Sequence, residues 1–503
     1  MASLARFKEP WIKALNSRPA VPYRDLPEYP VSDPASLVCT SRPLSFETGT
    51  GASIYTRSLL SAILEAKHEV ILVTCFWAPS TTLTALKETL EKLAASRRER
   101  IRNQLSAGPG EEAVPPLRIR ICFSSRSLLQ KIFHTSCRDG YTYPPSAWPT
   151  QLGLPDQDTL EAGLIDLRVK SLFFLPFSVM HPKFLIVDRR KARLPSCNVS
   201  WEPWLEGCVE LDGAAVSTLL SFYQSVWDPR LEEEPAIESN KNPRSNPENL
   251  KPCSSGRLGL TSIQSPATRF VSLGASTVPT VLLPSSHRRN PQFRPLFWQN
   301  SPSPPSTPLN CAILRLLDLA ERQIYLQTPN LTSATVVDAL LGALDRGVDV
   351  TIVTSRGMMV LEQLLTAGTT TSLCLKSFIK KYSERQRLYA QSRDRRGSED
   401  SNPIIDLEAQ PPRLGSLKIS YFQSLPASRA TKTPEEPVQS HLKLTIVDGQ
   451  YTVLGSGNMD RASWFTSQEL GILFQSTEFA TAVSDTVEGA LHGRLRPLFS
   501  SEA

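Results

Sequence analysis

One short pattern of residues occurs twice in this chain of 503 residues, with the same internal spacing both times. Each copy has a histidine, a lysine two residues later, an aspartate five residues after the lysine, and then a serine and an asparagine. The copies are His181, Lys183, Asp188, Ser196 and Asn198, and His441, Lys443, Asp448, Ser456 and Asn458. Every residue of the first copy lies 260 positions before its counterpart. Because one such pattern arises by chance in about one chain in a hundred, its repetition indicates shared chemistry in two similar halves.

The sequence before each motif is also repeated. Each half has a short apolar run with β-branched residues and polar ends, which is typical of a buried strand. A helix and two further strands follow before the motif. In the first half these are HEVILVTCFW (68–77), a helix near 81–97, and strands at 117–123 and 164–174. In the second half they are RQIYLQTPNL (322–331), a helix near 333–346, and strands at 348–354 and 416–422. This alternation predicts an α/β fold with two similar halves.

Changes in composition suggest where the halves begin and end. The predicted parts are an N-terminal segment (1–39), a first half (40–230) with its motif at 181–188, a Pro/Ser-rich linker (231–308), and a second half (309–500) with its motif at 441–448. NSPSPPSTP (300–308) cannot hold a helix or a central strand. Two apolar stretches in the linker, TVPTVLLP and FRPLFW, are expected to lie on the surface of the halves. A charged insertion at 383–414 is predicted to be a mobile surface loop.

Charge and cysteine content bear on partners and compartment. The net charge of +6 weakly favours anionic partners such as phospholipid surfaces or nucleic acid. Nine cysteines without a C-x-x-C pair indicate reduced thiols, not a disulfide frame or zinc site. The first residues lack the apolar core of a secretory signal, and no apolar run approaches the roughly 18–20 residues of a membrane span. We expect an intracellular protein, cytoplasmic or peripheral to a membrane, with a mitochondrial location weakly supported.

The repeated residues suit the chemistry of a phosphodiester. In a strand, residues two apart point to one face, so each histidine should emerge beside its lysine. Cleavage of a phosphodiester needs a nucleophile, a proton donor and positive charge on the phosphoryl oxygens. Two histidines meet the first two needs, and two lysines with two asparagine amides meet the third. The aspartates have the opposite parity, so we expect them, with the serines, to support the site. No metal-ligand cluster is visible, and we expect no metal ion and no cofactor.

The paired motifs with their S-x-N continuations resemble the phospholipase D superfamily. The resemblance implies two halves about a pseudo-twofold axis, each a mixed β-sheet flanked by helices, with one active site. It also implies a covalent phosphohistidine on His181, with His441 as proton donor, although the sequence leaves open which histidine attacks. Because both half-sites lie on one chain, we expect a monomer.

Members of this superfamily also carry an acidic residue that orients the histidine of the opposite half. By resemblance, Glu469 would serve His181 and Glu210 would serve His441, since they stand 11 and 12 residues after the two asparagines. A carboxylate on the second ring nitrogen sets the tautomer of an imidazole. The alternative is that either glutamate is an ordinary surface residue.

The first half departs from the family pattern in one respect. Pro195 stands where glycine is usual, which restricts the turn, and we expect an altered substrate rim and not an inactive site. Four aromatic residues follow the motifs at similar offsets and would line an acyl-chain groove, stack on a base, or pack in the core: Trp201, Trp204, Trp464 and Phe465.

The second half most resembles cardiolipin synthase-like members, through stretches such as TPNLTSATVVDALL and GSGNMDRAS. This favours a phospholipid substrate, with hydrolysis or phosphatidyl transfer to an alcohol. A nuclease or DNA-end phosphodiesterase is the alternative enzyme, and it would need a basic, aromatic-lined groove. A catalytically silent binding protein is a third possibility, against which stand the intact histidines and lysines of both motifs.

Overall fold

The computed structural model describes most of both halves. The described residues are 2–17, 29, 31, 33–107, 113–127, 130–131, 139–174, 178–228, 262–274, 276–286, 303–399, 413–426 and 435–501. The motifs and the strands around them all lie inside these ranges.

The first half is built on a mixed sheet. Three parallel strands lie side by side, and the motif strand joins them antiparallel, followed by three further antiparallel strands. In spatial order the strands are Ile165–Ser171, Leu117–Ser125, Glu69–Phe76, Phe184–Val187, Lys191–Pro195, Trp204–Asp212 and Val38–Thr50. Helices lie at Gly51–Ile54, Tyr55–Leu59 (a π-helical turn), Leu60–Leu64, Thr81–Ala107, Gln157–Glu161 and Ala214–Trp227.

The parallel strands are buried on both faces. In Glu69–Phe76, Val70 and Leu72 pack into one apolar cluster, whereas Ile71 and Val73 pack into another. This alternation is the period of two that a strand imposes. A continuous apolar run can therefore form a strand here, because helices cover both sides of the sheet.

The second half repeats this sheet. Its strands, in the same spatial order, are Leu417–Phe422, Asp349–Thr354, Gln323–Thr328, Leu444–Val447, Tyr451–Gly455, Glu469–Gln475 and Val278–Ser285. An additional strand, Leu495–Ser500, pairs antiparallel with the first of these. Its helices are Pro308–Leu319, Ala334–Asp345, Val360–Ala367, Thr371–Glu399, Arg461–Phe465 and Thr477–Leu491.

One long strand joins the two sheets. The first residues of Val38–Thr50 pair with Val278–Ser285 of the second half, and its later residues pair with Trp204–Asp212 of the first half. Shorter strands lie at Tyr141–Thr142, Phe173–Phe174, Ser178–Val179, Arg269–Ser272 and Gln439–Ser440. The architecture confirms the α/β fold of two repeated halves, each a mixed sheet flanked by helices.

The expectation that TVPTVLLP lies on the surface of the halves is wrong. Val278–Ser285 is a strand of the second-half sheet, and Val281, Leu282 and Leu283 are buried. Pro284 is opposite Leu470, whose backbone N–H and C=O both bond to Ser456 on the other side. The nitrogen of Pro284 therefore points away from that strand, so the lack of an N–H costs no hydrogen bond between the two strands. Residues 231–261 and 287–302 of the predicted linker, including FRPLFW, lie outside the described residues.

The prediction that the charged insertion is a loop is also wrong for the part of it that the structure describes. Thr371–Glu399 is one helix, and Leu375, Phe378 and Tyr382 on its inner face are buried. Arg385 extends this face, with its guanidinium 3.0 Å from the Asp345 carboxylate. Arg, Glu, Gln, Leu and Ala are good helix formers, so a charged stretch of them need not be a loop. Residues 400–412 of the insertion lie outside the described part.

The N-terminal segment begins with a helix, Ala2–Ser17, that packs on the second half. Phe7 and Trp11 are fully buried, and the Trp11 indole N–H donates to the carbonyl of Pro308 at 3.0 Å. The seven cysteines within the described ranges are all free, whereas Cys137 and Cys253 lie outside them. In the part of the chain that the structure describes, no helix is both long enough and apolar enough to cross a membrane.

Candidate active site

Each motif lies against a strand of the other half. The backbone N–H of His181 donates to the carbonyl of Gln468 at 2.9 Å, and the N–H of Gln468 donates to Val179 at 2.9 Å. In the second half, the N–H of His441 donates to the carbonyl of Leu205 at 2.8 Å. Both motif histidines therefore sit where the two halves meet.

Each histidine ring contacts a buried glutamate of the opposite half. Nδ1 of His181 is 2.8 Å from Oε2 of Glu469, and Nδ1 of His441 is 2.8 Å from Oε1 of Glu206. Both carboxylates are almost completely buried. The resulting exchange is symmetric, because each half supplies the carboxylate for the other half's imidazole.

The motif serines hold these carboxylates. The Ser456 hydroxyl donates to Oε2 of Glu469 at 2.5 Å, and the Ser196 hydroxyl donates to Glu206. Each serine Oγ also accepts from the backbone N–H after its glutamate, at Leu470 (3.0 Å) and at Gly207 (2.9 Å). The serines therefore fix the carboxylates that fix the histidines.

The expectation that Glu210 contacts His441 is wrong. Glu210 lies four residues further along the same strand and pairs with Arg193 at 3.0 Å and Lys191 at 3.4 Å. Four residues of strand correspond to roughly 13 Å. Glu206, which the sequence reasoning missed, occupies the place beside His441.

Connection length explains this error. In the second half, the helix Arg461–Phe465 stands between Asn458 and the glutamate strand, whereas the first-half strand begins at Trp204 without an intervening helix. Glutamates at similar sequence distances from Asn198 and Asn458 therefore do not occupy equivalent positions in the two halves. Pro203 was the available signal, because a proline disfavours helical conformation in the residue before it and so marks a shorter connection.

The motif lysines lie next to the histidines. Nζ of Lys443 is 2.7 Å from Nε2 of His441, and Nζ of Lys183 donates to the backbone carbonyl of His181 at 2.9 Å. Both lysines are buried. Two lysine side chains thus lie beside the motif histidines in a buried setting.

Burial changes the acid–base properties of these groups. It lowers the pKa of His441 to about 3, against the opposing effect of Glu206 and with the added repulsion of Lys443. Burial lowers the pKa of Lys443 to about 7, where the Glu206 carboxylate opposes the shift and Lys183 adds to it. Burial also lowers the pKa of His181, although Glu469 opposes it. Near neutral pH, Lys443 can therefore exchange its proton, whereas His441 is neutral.

The two asparagines are held differently. Oδ1 of Asn198 accepts from the backbone N–H of Phe76 at 3.2 Å, which leaves its Nδ2 as a donor for a ligand. Nδ2 of Asn458 donates to Asp460 at 3.1 Å, and its Oδ1 is buried without a partner among the described residues. Ser200 stands at the first-half position that corresponds to Asp460, so the second half alone has this acid.

The two motif aspartates face away from this cluster and hold backbone. Asp188 accepts from the backbone N–H groups of Lys67, His68 and Glu69 at 2.7–3.2 Å. Asp448 accepts in the same way from the three N–H groups of residues 321–323, at 2.8–3.0 Å. Both aspartates have positive φ, which Asp and Asn tolerate better than most residues. Each therefore ties the turn after a motif strand to the start of a neighbouring strand.

The four aromatic residues divide into two pairs. The Trp204 ring lies 4.7 Å from the His441 ring, and Trp201 is 57% exposed, edge-on to Phe76. By contrast, Trp464 and Phe465 are buried members of the hydrophobic core, as the core-packing alternative predicts. They lie on the short helix Arg461–Phe465, which has no counterpart in the first half.

No cluster of three or more His, Cys, Asp or Glu side chains suited to a metal ion is found within the described ranges. The absence of a metal from catalysis therefore stays a prediction, and so do the catalytic roles of the residues in this cluster.

Comparisons with known proteins show which family model and which solved structures this chain resembles. A family model described as "Cardiolipin synthase, PLD-like domain" matches residues 313–490. Solved structures that resemble the chain include phosphatidylserine synthase from Haemophilus influenzae Rd KW20, with 13% identity over 90% of this chain and 89% of that chain and a TM-score of 0.47. They also include the phospholipase D family member Nuc from Salmonella typhimurium, with 14% identity over 44% of this chain and 97% of that chain and a TM-score of 0.26. No curated protein sequence gives a match.

The matched segment contains the second motif and Glu469. The first half carries the same five motif residues and the same order of strands, and its histidine contacts that glutamate. Residues 313–490 therefore match a phospholipase D-like family model, and the first half repeats the motif and the strand order of that segment.

Proposed function

We propose that this protein breaks the phosphodiester bond of a phospholipid without a metal ion, by hydrolysis or by phosphatidyl transfer to an alcohol. The observation that carries the proposal is the exchange of carboxylates, Glu469 onto His181 and Glu206 onto His441. A carboxylate on Nδ1 leaves Nε2 of each ring as the reacting atom. Two such rings supply the nucleophile and the proton donor that the reaction needs.

His181 is the nucleophile in this proposal. Its side chain is 13% exposed, whereas that of His441 is 3% exposed and its Nε2 already contacts Lys443. Nε2 of His181 attacks phosphorus, and the N–P bond forms as the P–O bond to the leaving alkoxide breaks. The Glu469 carboxylate balances the positive charge that develops on the ring.

His441 and Lys443 handle the proton. An anionic phosphodiester stabilises positive charge in the site and raises the proton affinity of both groups, which offsets the effect of burial. With the substrate bound, His441 gives a proton from Nε2 to the leaving oxygen, while Lys443 keeps its own proton and its positive charge. In the second step, neutral His441 takes a proton from water or an alcohol, whose oxygen attacks phosphorus, breaks the N–P bond and frees His181.

Donors beside the rings would hold the phosphoryl oxygens. Lys183 and Lys443 supply positive charge in a buried setting, where it is worth more than in water. Oδ1 of Asn198 accepts from the backbone N–H of Phe76, so its Nδ2 is left to donate a further hydrogen bond. Together they take the place of the metal ion that many phosphoryl-transfer enzymes use.

A phospholipid substrate is supported by the second half, since the family that matches residues 313–490 is described by cardiolipin synthase. The test offers phospholipid vesicles of several head groups and short single- and double-stranded DNA, with chelator and a primary alcohol present. We expect free head group and a phosphatidyl-alcohol, and no cleaved DNA.

Two variants make this test specific. His181→Ala should abolish turnover, whereas His492→Ala, which alters an exposed histidine outside the site, should leave it unchanged. Cleaved DNA with intact lipid would favour the nuclease alternative. No turnover of either substrate would favour a silent binding protein.

A further inference from the structure

One helix beside the site has its polar residues inside and its apolar residues outside. In Val360–Ala367, the buried side chains are Gln363 and Thr366. Leu361 on the same helix is 71% exposed, and Leu364 and Leu365 are exposed as well. A surface helix of a water-soluble protein normally has the opposite arrangement.

Many of the exposed large hydrophobic side chains of this protein lie in or near this helix. Of the fifteen large hydrophobic side chains that are exposed in the described part, six lie within fifteen residues of sequence. They are Met359, Val360, Leu361, Leu364, Leu365 and Leu373, and we call them the apolar patch. Single exposed leucines are ordinary, but a contiguous patch marks an interaction surface.

Hydrogen bonds tie the patch to the active site. The side-chain amides of Gln363 and Asn330 are 2.8 Å apart, and Asn330 contacts Asp460 at 3.4 Å. Asp460 in turn accepts from Nδ2 of Asn458. The helix also packs on Arg461–Phe465, the helix that follows this asparagine. The patch therefore lies beside the second-half motif.

The charges around the patch have one predominant sign. Arg356, Lys376 and Lys380 are exposed, and the two lysines follow Leu373 at i+3 and i+7 on the same helix face. Glu362 is the sole acidic residue between positions 356 and 383. Burial raises the pKa of Glu362 to about 7, so it carries only part of its charge at neutral pH. An apolar face with a basic border is typical of a helix that lies in a membrane interface.

We propose that the apolar patch inserts into the surface of an anionic phospholipid bilayer and thereby presents the active site to lipid held in that bilayer. The proposal rests on the proposed phospholipid substrate and specifies how it is reached. Leucines enter the boundary between head groups and acyl chains, while Lys376 and Lys380 contact lipid phosphates. Nucleic acid would gain little from six aliphatic side chains, because its affinity comes mainly from phosphate contacts.

The first experiment measures flotation of the full chain with vesicles of phosphatidylcholine alone or mixed with phosphatidylglycerol. The wild type should float with the mixed vesicles. Leu361→Gln/Leu365→Gln should reduce the bound fraction at least about tenfold, because two large side chains no longer enter the bilayer. Leu388→Gln, at an exposed leucine outside the patch, is the matched control and should bind as the wild type does. Lys376→Gln/Lys380→Gln should remove the preference for anionic vesicles.

The second experiment compares activity on vesicles with activity on a short-chain phospholipid below its micelle concentration. The double leucine variant should lose about tenfold on vesicles and stay within about twofold on the monomeric substrate, since the chemistry is untouched. Equal losses on both substrates would overturn the docking role. A wild type that cleaves the short-chain lipid but does not float would overturn docking alone. Flotation without turnover of any phospholipid would support docking and reject the proposed substrate.

A second copy of this chain is the remaining candidate to cover the apolar patch, and light scattering in solution tests for it. The wild type and the double leucine variant should have the same mass. A wild-type dimer that the variant converts to a monomer would show that the patch is covered by a second copy, and would overturn the membrane proposal.

Discussion

Glu469, from the second half of the chain, lies 2.8 Å from Nδ1 of His181 in the first half. Its counterpart, Glu206, stands in the same relation to His441. Because each imidazole is oriented from the opposite half, neither half contains a complete histidine–carboxylate pair. The exchange also explains why the motif segments lie against strands of the opposite sheet, where the glutamates are.

Replacement of Glu206 tests this relationship. Glu206→Gln should lower kcat by on the order of 10² to 10⁴, with little change in KM, because a misoriented imidazole fails in proton transfer and not in lipid binding. Glu210→Gln, on the same strand, is the matched control and should change kcat by no more than a few-fold. Steady-state kinetics on both variants decide between the two glutamates, and the reverse pattern would restore Glu210 as the partner of His441.

The pH dependence of kcat/KM should report Lys443. Its lowered pKa of about 7 means that the free enzyme loses this positive charge as pH rises through neutrality. If the charge holds the phosphate, kcat/KM falls on the alkaline side with an apparent pKa near 7. Lys443→Arg keeps the charge, so any remaining activity should lack this alkaline limb. An unchanged limb in the arginine variant would assign the titration to another group.

The two motif aspartates should matter for stability. Asp188→Asn keeps a residue that tolerates positive φ but weakens an acceptor of three backbone N–H groups. We expect the free energy of unfolding in urea to fall by about 1–3 kcal/mol, with kcat of the folded fraction preserved. Asp158→Asn, at an exposed helix position, should be neutral. Normal stability combined with lost turnover would instead place Asp188 in contact with substrate.

Exhaustive chelation should leave turnover intact on a monomeric phospholipid, because lysines and amides meet the charge of the phosphate. A short-chain substrate removes effects of divalent ions on the bilayer itself. Activity that is lost with chelator and regained with one particular metal ion would contradict metal-free chemistry.

Much of the fold could be predicted because the two halves repeat. The strands around HEVILVTCFW and RQIYLQTPNL were visible as short apolar runs, and they occur as Glu69–Phe76 and Gln323–Thr328. The two prolines of Val278–Ser285 predict a linker and not a strand, although Pro284 needs no N–H at its place in the sheet. The high charge density after Tyr382 predicts a loop, whereas the helix-forming composition of the same stretch predicts the helix that is found.

The sequence predicts those residues of the candidate site that recur at a constant spacing in the two halves. Residues at the offset of 260 could be paired without a structure, and so could Glu469 by resemblance. Glu206 could not be found by counting, because the connection after Asn198 is shorter than that after Asn458. The apolar patch cannot be predicted from the sequence, because exposure depends on which face of Val360–Ala367 meets the core, and its apolar spacing is typical of an ordinary buried face.

The central claim is a two-step reaction through a phosphohistidine on His181, and covalent capture tests it most directly. A labelled phosphodiester with a good leaving group, incubated with His441→Ala, should leave label on His181, because the nucleophile remains while the group that activates water is missing. His181→Ala should acquire none. Mass spectrometry of the digested protein locates the adduct. Label on His181 alone is the predicted result, whereas label on His441 and none on His181 would contradict the assignment of the nucleophile.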